Sequence, residues 1–232
     1  MSKTDVTYVE LRMARVLHSG GACLQSRLIL IVLFASNLVG CTTLTREAQI
    51  QSALSLTKDH FRSTASVKDD SLDTVATITT VDGFQEKQGP LRIVSDDHFL
   101  RAFIDKKTGR TRIQLYQSIY YRGSDWNFFE TANFETLAEP QSTPVTVISR
   151  DVDCTGSEYL GCRYVEDVGF NVNEELLRTI AASYESIRHV AWWNFKFIAK
   201  SGTEYNGRML TAEIAGFLEA IDSYRAAKGI SQ

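Results

Sequence analysis

The chain has 232 residues, 44% of them hydrophobic, and its 25 basic and 28 acidic side chains give a formal net charge of −3 at pH 7. A chain of this length corresponds to one domain or two small ones. The mild acidity argues against nucleic acid as a partner and against electrostatic attachment to a membrane surface.

The first recognisable element is a short apolar segment near the N-terminus. Arg27 precedes seven apolar residues, 28–34, and the run reaches fourteen residues if it is extended to Cys41. A transmembrane helix needs about twenty apolar residues to cross a bilayer core of ~30 Å, so this run is too short for one. A positive charge, a short apolar core and a small residue before the cleavage point are typical of a secretory signal peptide. The alternative is a buried core helix of a cytosolic protein.

The end of this segment, Leu38-Val39-Gly40-Cys41, resembles the lipobox of bacterial lipoproteins. The resemblance covers the signal segment, and we match no family motif in the rest of the chain. It implies cleavage before Cys41, a diacylglycerol thioether and a further acyl chain on that cysteine, and stable anchoring in a membrane. An Asp directly after the cysteine retains such lipoproteins at the inner membrane. Because Thr42 stands there, the resemblance implies the outer membrane, with the protein facing the periplasm.

Removal of the signal peptide, residues 1–40, leaves 192 residues and takes away four basic and two acidic side chains, so the mature net charge is −5. We divide the mature chain into a lipidated tether, residues 41–71, and a single periplasmic domain, residues 72–232. Residues 44–61 can form a helix, and residues 63–71 are polar, as in a linker. The start codon stays open between Met1 and Met13.

Residues 75–172 have the alternating, β-branched and aromatic character of strands. The clearest unit is a hairpin of residues 98–104 and 111–121, in which Gly109 can take the left-handed conformation that closes a short loop. Further strands are predicted at residues 126–132, 145–150 and 163–172. On the second hairpin strand one face carries Ile113, Leu115, Ile119 and Tyr121, and the other carries Arg112, Gln114, Tyr116, Ser118 and Tyr120.

Cys154 and Cys162 are the cysteines that remain outside the signal and the anchor. An even pair in an exported chain predicts a disulfide, since the periplasm is oxidising. We expect it to pin the end of the hairpin formed by residues 145–150 and 163–172. A zinc site would need two more Cys or His ligands, and redox-active pairs usually have two intervening residues where this pair has seven.

Two helices are predicted in the last third of the chain. Asn173 caps the first helix, and apolar residues follow at helical spacing as far as Ile187. A strand at residues 192–197 comes next, Thr211 is predicted to cap the second helix, and Lys228-Gly229 stops it. Together these predicted strands and helices indicate an α+β fold, an antiparallel sheet of six to eight strands with two helices packed on one face.

Catalytic motifs are not evident in this sequence, which has no nucleophile elbow and no phosphate-binding glycine loop. The mature histidines are His60, His98 and His189, and none lies within four residues of another. Ser95-Asp96-Asp97-His98 could form an acid/base cluster, although such Ser/Asp runs ordinarily build a turn. We therefore predict no catalytic residue, no metal site and no cofactor.

Two other groups of residues allow more than one interpretation. Clustered acids could hold calcium, but a solvated hairpin tip is favoured for them. Tyr116 and Tyr120, with Arg112, could stack on sugars or receive a partner, but core packing beneath a helix is favoured. The calcium candidates are Asp151, Asp153, Glu158, Glu166 and Asp167, and the aromatic residues expected in the core are Trp192, Trp193, Phe195 and Phe197.

The leading functional hypothesis is a membrane-anchored lipoprotein that binds an envelope protein partner or assists envelope assembly. The alternative is an envelope enzyme, such as a cell-wall-acting hydrolase whose acids come from distant strands. A pocket with convergent ionisable groups would favour the enzyme, and a shallow aromatic patch would favour binding. A third hypothesis, a small apolar ligand between sheet and helices, would need an internal cavity.

Overall fold

The computed structural model describes residues 51, 53, 55–81, 83, 87–88, 93–94, 97–155, 161–184 and 191–230. These ranges belong to one compact unit, Gln49–Gln232. Cys41 and the signal segment lie outside the described residues. Within the described ranges, no helix is both long enough and apolar enough to cross a membrane.

The described elements form an α+β fold with two antiparallel sheets, so the predicted class is confirmed. A six-stranded sheet has the order β1-β2-β5-β6-β10-β9, a four-stranded sheet has the order β12-β11-β7-β8, and β3 pairs with β4. In chain order the elements are α1 (Lys58–Thr64), β1 (Ser66–Lys68), β2 (Val75–Thr79), β3 (Lys87–Gln88), β4 (Ile93–Val94), β5 (Asp97–Asp105), β6 (Thr111–Gly123), β7 (Phe129–Phe134), β8 (Gln141–Pro144), β9 (Thr146–Asp153), β10 (Cys162–Val172), α2 (Glu174–Ala181), β11 (Trp192–Ala199), β12 (Glu204–Leu210) and α3 (Thr211–Lys228).

The chain leaves the six-stranded sheet after β6, returns to it at Val145, the single residue between β8 and β9, and leaves it again after β10. The two sheets pack face to face through aromatic rings. Phe170 on β10 lies 5.2 Å from Phe134 and 5.7 Å from Phe197, measured between ring centroids. Helix α3 packs against β2, β5 and β12. One face of the six-stranded sheet is therefore covered by both the second sheet and the helices.

The predicted core aromatics of β11 lie where the alternation places them, with one exception. Trp193, Phe195 and Phe197 are buried in the main hydrophobic cluster. Trp192 points to the opposite face and is half-buried, and the guanidinium of Arg208 lies 4.2 Å from its ring centroid. The side chain of Trp192 therefore packs beneath a cation, outside the main cluster.

The segment predicted as a tether contributes two elements to the folded unit. Thr57 caps α1 by accepting a hydrogen bond from the His60 backbone N–H, and Phe61 is fully buried. Strand β1 pairs with β2, with Ser66 opposite Thr79. The ordered domain therefore begins before residue 72. The sequence pattern did not predict this earlier start, because α1 buries only one large side chain and β1 is exposed throughout.

The two predicted hairpins are present. Gly109, with φ of 71°, closes the turn between β5 and β6 in the left-handed conformation. Strands β9 and β10 pair antiparallel, and a disulfide joins Cys154 to Cys162 at their connected end.

Both predicted helices are also present, with altered ends. The Asn173 side chain accepts a hydrogen bond from the Glu175 backbone N–H at 2.7 Å, as a helix cap does, but α2 ends at Ala181, well before Ile187. The predicted cap at Thr211 is wrong, because Thr211 is the first helical residue of α3 and Leu210 holds the cap position without a side-chain hydrogen bond. The left-handed Gly229 ends α3 as predicted.

Candidate functional site

The six-stranded sheet has a second face, opposite the core, which we call the outer face. The pairing of residues between neighbouring strands shows which side chains point to this face, and these side chains form rows across the sheet. Phe99, Phe103 and Val165 on this face belong to neither of the two hydrophobic clusters of the described residues, although Phe99 is itself buried, with 4% of its surface exposed. The rows are Phe103–Arg112, Thr79–Arg101–Gln114–Asn171, Phe99–Tyr116–Gly169 and Asp97–Ser118–Asp167–Ser149.

Stacked aromatic rings and arginines occupy the middle of the outer face. Phe99 and Tyr116 lie directly opposite each other, and their rings stack with centroids 4.4 Å apart. The Arg101 guanidinium lies 5.2 Å from the Phe99 centroid and 5.6 Å from the Tyr116 centroid. Arg112 lies 4.4 Å from the centroid of its cross-strand partner Phe103. Such cation–π contacts are each worth about 0.5–1 kcal/mol at exposed sites, and they restrict where the guanidinium groups lie.

The core interpretation of Tyr116 and Tyr120 was wrong, because both point away from the helices. Tyr116 is half-buried and Tyr120 is 41% exposed. Burial, followed by a hydrogen bond to Asp167, raises the pKa of the Tyr116 phenol to about 12. The Tyr116 hydroxyl therefore stays protonated at neutral pH.

A carboxylate–hydroxyl row crosses four strands at one end of the outer face. The Asp167 carboxylate accepts hydrogen bonds from the hydroxyls of Ser118 and Ser149. Asp97 lies directly opposite Ser118 on the other side of β6. Two strand spacings place the backbones of Asp97 and Asp167 roughly 9–10 Å apart. The structure thus brings one acid of the Ser95–His98 motif onto the same face as Tyr116 and Asp167.

The other end of the outer face carries polar groups without partners among the described residues. Arg101 and Arg112 make cation–π contacts but form no ion pair with a described carboxylate. The Thr79 hydroxyl, directly opposite Arg101, is buried and has no hydrogen-bond partner in the described part of the chain. Buried polar groups in folded proteins normally have a partner, so this end is chemically incomplete.

The acids proposed for calcium do not converge. Glu166 and Asp167 are consecutive in β10 and therefore point to opposite faces of the sheet. Asp153 lies near Arg163 and accepts a hydrogen bond from the Thr155 backbone N–H, and Glu158 lies outside the described residues. In the described ranges, no three His, Cys, Asp or Glu side chains are grouped to hold a metal ion.

Glu166 holds a strained loop, a feature that the sequence did not indicate. Its fully buried carboxylate accepts hydrogen bonds from the Tyr121 hydroxyl at 2.6 Å and from the Phe128 backbone N–H at 3.1 Å, and it pairs with Arg150. Phe128 is the one non-glycine residue with positive φ among the described residues, at 56°. These contacts stabilise a conformation that costs about 1–3 kcal/mol, and they explain why β7 begins at Phe129 and not at the predicted Trp126.

Two further ionisable groups are buried on the core side. Burial, and then the charge of Arg208, lowers the pKa of His98 to about 4, and its ring packs edge-on to Phe195. Burial raises the pKa of Glu213 to about 8. His98 is thus a neutral core side chain at pH 7. His189 lies outside the described residues.

Comparisons with protein-family models, curated proteins and solved structures found no match to this chain. The chemistry of the outer face therefore has to be argued from its own residues. The half-buried Tyr116 and Arg101 and the exposed Arg112 and Tyr120 offer ring, guanidinium and hydroxyl groups that can contact a partner.

Proposed function

We propose that this chain is a membrane-anchored periplasmic lipoprotein, tethered by lipid on Cys41, whose domain binds an envelope protein partner through the outer face. The anchor is inferred from the signal segment alone. The observation that carries the binding role is the stack of the half-buried Tyr116 and Arg101 on the buried ring of Phe99, on the sheet face opposite the core clusters.

The composition of this face supports a protein partner. Tyrosine and arginine are enriched at the centres of protein interfaces, where they supply large contact area and directional hydrogen bonds. The rings of Phe99 and Tyr116 are already stacked, and Arg101 covers both, so little side-chain entropy remains to be lost on binding. The same guanidinium covers the ring faces on which a sugar would stack, which favours a protein over a glycan.

A second candidate function, a cell-wall hydrolase, has one observation in its favour, the pair Asp97 and Asp167. Inverting glycosidases place their two carboxyl groups about 6.5–9.5 Å apart, close to the spacing of these strands. However, two serine hydroxyls and the Tyr116 phenol already bond to Asp167, which leaves it poorly placed to act on a substrate. We therefore prefer the binding role.

Site-specific photo-crosslinking in intact cells tests the proposal. p-Benzoylphenylalanine replaces Tyr120, which is 41% exposed on the outer face, or Leu137, which is 81% exposed and lies outside that sheet. We expect a discrete protein adduct from position 120 and none from position 137. Equal adducts from both positions, or none from position 120 at native expression, would contradict the proposed function.

A further inference from the structure

The outer face is electrically polarised along its strands. Its basic end carries Lys68, Arg101 and Arg112 on three strands, and its acidic end carries Asp97 and Asp167. Arg101 and Asp97 are four residues apart on β5, which separates the two ends by about 13 Å. Over such a distance in water, the negative charges of the two acids offset the positive charges of the arginines only weakly.

None of the three cations at the basic end is neutralised by a described carboxylate. Lys68, Arg101 and Arg112 form no ion pair in the described part of the chain. The nearby Asp105 keeps its negative charge, because hydrogen bonds from Thr108 and from the Lys107 backbone N–H lower the pKa of its carboxyl, so this end carries three positive charges against one negative charge. The domain therefore presents a local positive charge although the whole chain is acidic.

Arg101 and Arg112, which we call the arginine pair, have a defined spacing. Arg101 lies opposite Gln114, and Arg112 lies two residues before Gln114, so the two arginines are diagonal neighbours. Diagonal Cβ atoms in an antiparallel pair are about 7–8 Å apart. In an extended peptide, side chains two residues apart are separated by about 7 Å and point to the same side. The Cβ atoms of the arginine pair therefore have the spacing of two acidic side chains at positions i and i+2 of an extended segment.

Neutral polar side chains surround the arginine pair. The buried Thr79 hydroxyl lies directly opposite Arg101 and has no described partner, and Gln114 and Asn171 continue the same row. Because the Thr79 hydroxyl and the Gln114 side chain are buried, the exposed Asn171 amide is the member of this row that can bond to the backbone or to carboxylate oxygens of a bound segment. Guanidinium groups bind carboxylates through two parallel hydrogen bonds, which makes such a site selective for acidic side chains.

We propose that the basic end of the outer face binds an extended acidic segment of the protein partner, with two carboxylates two residues apart seated on Arg101 and Arg112. This inference rests on the proposed function and names the chemistry that the partner presents. The observation that carries it is a pair of guanidinium groups that are restrained by aromatic rings and form no ion pair with a described carboxylate.

Fluorescence anisotropy with the purified full chain in detergent tests this inference. One labelled peptide carries Glu-Thr-Glu in a threonine background, and its control carries Gln-Thr-Gln. The variants are R101Q and R112Q, and the charge-matched control is R110Q, since Arg110 is an exposed residue of the β5–β6 turn. We expect each test variant to weaken Glu-Thr-Glu binding roughly tenfold or more, and R110Q to stay within about twofold.

The remaining outcomes each decide the question. Equal affinity for the two peptides, equal loss in R110Q, or no binding at roughly millimolar peptide would overturn the inference. Displacement of the peptide by inorganic phosphate at constant ionic strength would overturn it in favour of a free phosphate ligand. If the adduct at position 120 forms unchanged in the R101Q/R112Q double variant, the acidic segment is wrong and the binding function stands.

Discussion

The Thr80 hydroxyl donates a 2.6 Å hydrogen bond to the Glu213 carboxyl, and both side chains are buried. Thr80 directly follows β2, and Glu213 lies in the first turn of α3. Burial raises the pKa of Glu213 from 4.5 to about 8; the bond from Thr80 lowers it by less, and the charge of Asp97 raises it further. At neutral pH the folded protein therefore holds a proton on Glu213 that the unfolded chain has released.

We expect the free energy of unfolding to fall as the pH rises from about 6.5 to about 8. The folded state binds the additional proton in this window, so the slope approaches about −1.4 kcal/mol per pH unit. Urea unfolding at several pH values measures it. Below pH 6.5 the trend is masked, because His98 has its pKa lowered from 6.5 to about 4 and contributes stability that rises with pH between those values.

The variant E213Q keeps the shape of the side chain and removes its titration. We expect its stability to be nearly constant between pH 6.5 and 8, whereas E175Q, at an exposed position of α2, retains the slope of the parent. An unchanged slope in E213Q would show that another group carries the pH dependence.

The variant G216A tests whether α1 belongs to the folded domain. A Cβ at Gly216 would lie 2.4 Å from the Lys58 carbonyl oxygen and 2.8 Å from the Arg62 backbone nitrogen. Glycine to alanine inside a helix ordinarily stabilises by about 1 kcal/mol, but here the clash with α1 should reverse the sign, for a net loss of about 1–2 kcal/mol. We expect faster tryptic cleavage after Arg62.

The matched control for this variant is G123A, because a Cβ at Gly123 meets no atom closer than 3.6 Å. Its stability and its cleavage pattern should stay close to those of the parent. If G216A is as stable and as protease-resistant as G123A, α1 does not pack on α3 in solution.

The disulfide between Cys154 and Cys162 should contribute about 2–3 kcal/mol, because it closes a short loop in the unfolded chain. Urea unfolding of the parent with and without reductant measures this difference. The double variant C154S/C162S should match the reduced parent and show no response to reductant. A parent whose midpoint ignores reductant would mean that the pair is not oxidised in solution.

The carboxylate of Glu174 on α2 binds the buried Arg225 on α3, and Arg225 also binds Thr111 on β6, so these contacts connect three elements. Arg225 donates to Glu174 at 2.9 Å and to the Thr111 hydroxyl at 2.6 Å, and Arg178 also pairs with Glu174. These arginines, Arg225 first, lower the pKa of Glu174, so its contribution is present at neutral pH and is lost as the pH falls below about 4.5.

The variant E174Q should therefore cost about 2–3 kcal/mol at pH 7, since it leaves the Arg225 charge with weaker partners. The exposed pair Lys196–Glu204 provides the comparison, and E204Q should cost less than about 1 kcal/mol. Thermal unfolding of both variants at pH 7 and pH 3.5 measures the difference. Equal losses in E174Q and E204Q would show that burial of Arg225 adds nothing.

Local patterns in the sequence predicted local structure. The β5–β6 hairpin, the Cys154–Cys162 hairpin and α3 could be predicted because each is encoded by alternation, turn glycines or helical spacing within about 25 residues. The division into two sheets could not, because it depends on which distant strands pair as the chain passes between the sheets after β6, after β8 and after β10.

The candidate site was only partly predictable. The alternation along β6 placed Arg112, Tyr116 and Tyr120 on one face correctly, but both faces of that strand carry aromatic residues. Which face the helices cover is set by long-range packing, so the wrong face was assigned to the core. Buried acids such as Glu166 and Glu213 look like any surface carboxylate in sequence, and only their partners reveal them.

The proposed anchor gives the last prediction, on Cys41. Lipid attachment needs the cysteine thiol, so C41S should accumulate as an uncleaved or soluble precursor, whereas the parent fractionates with the outer membrane. Immunoblotting of membrane and soluble fractions, with and without globomycin, measures the difference. T42S, which changes the neighbouring residue and keeps the cysteine, serves as the control and should fractionate like the parent. A C41S protein that stays in the membrane at its mature size, insensitive to globomycin, would refute lipidation at this residue and would leave the outer-face experiments unaffected.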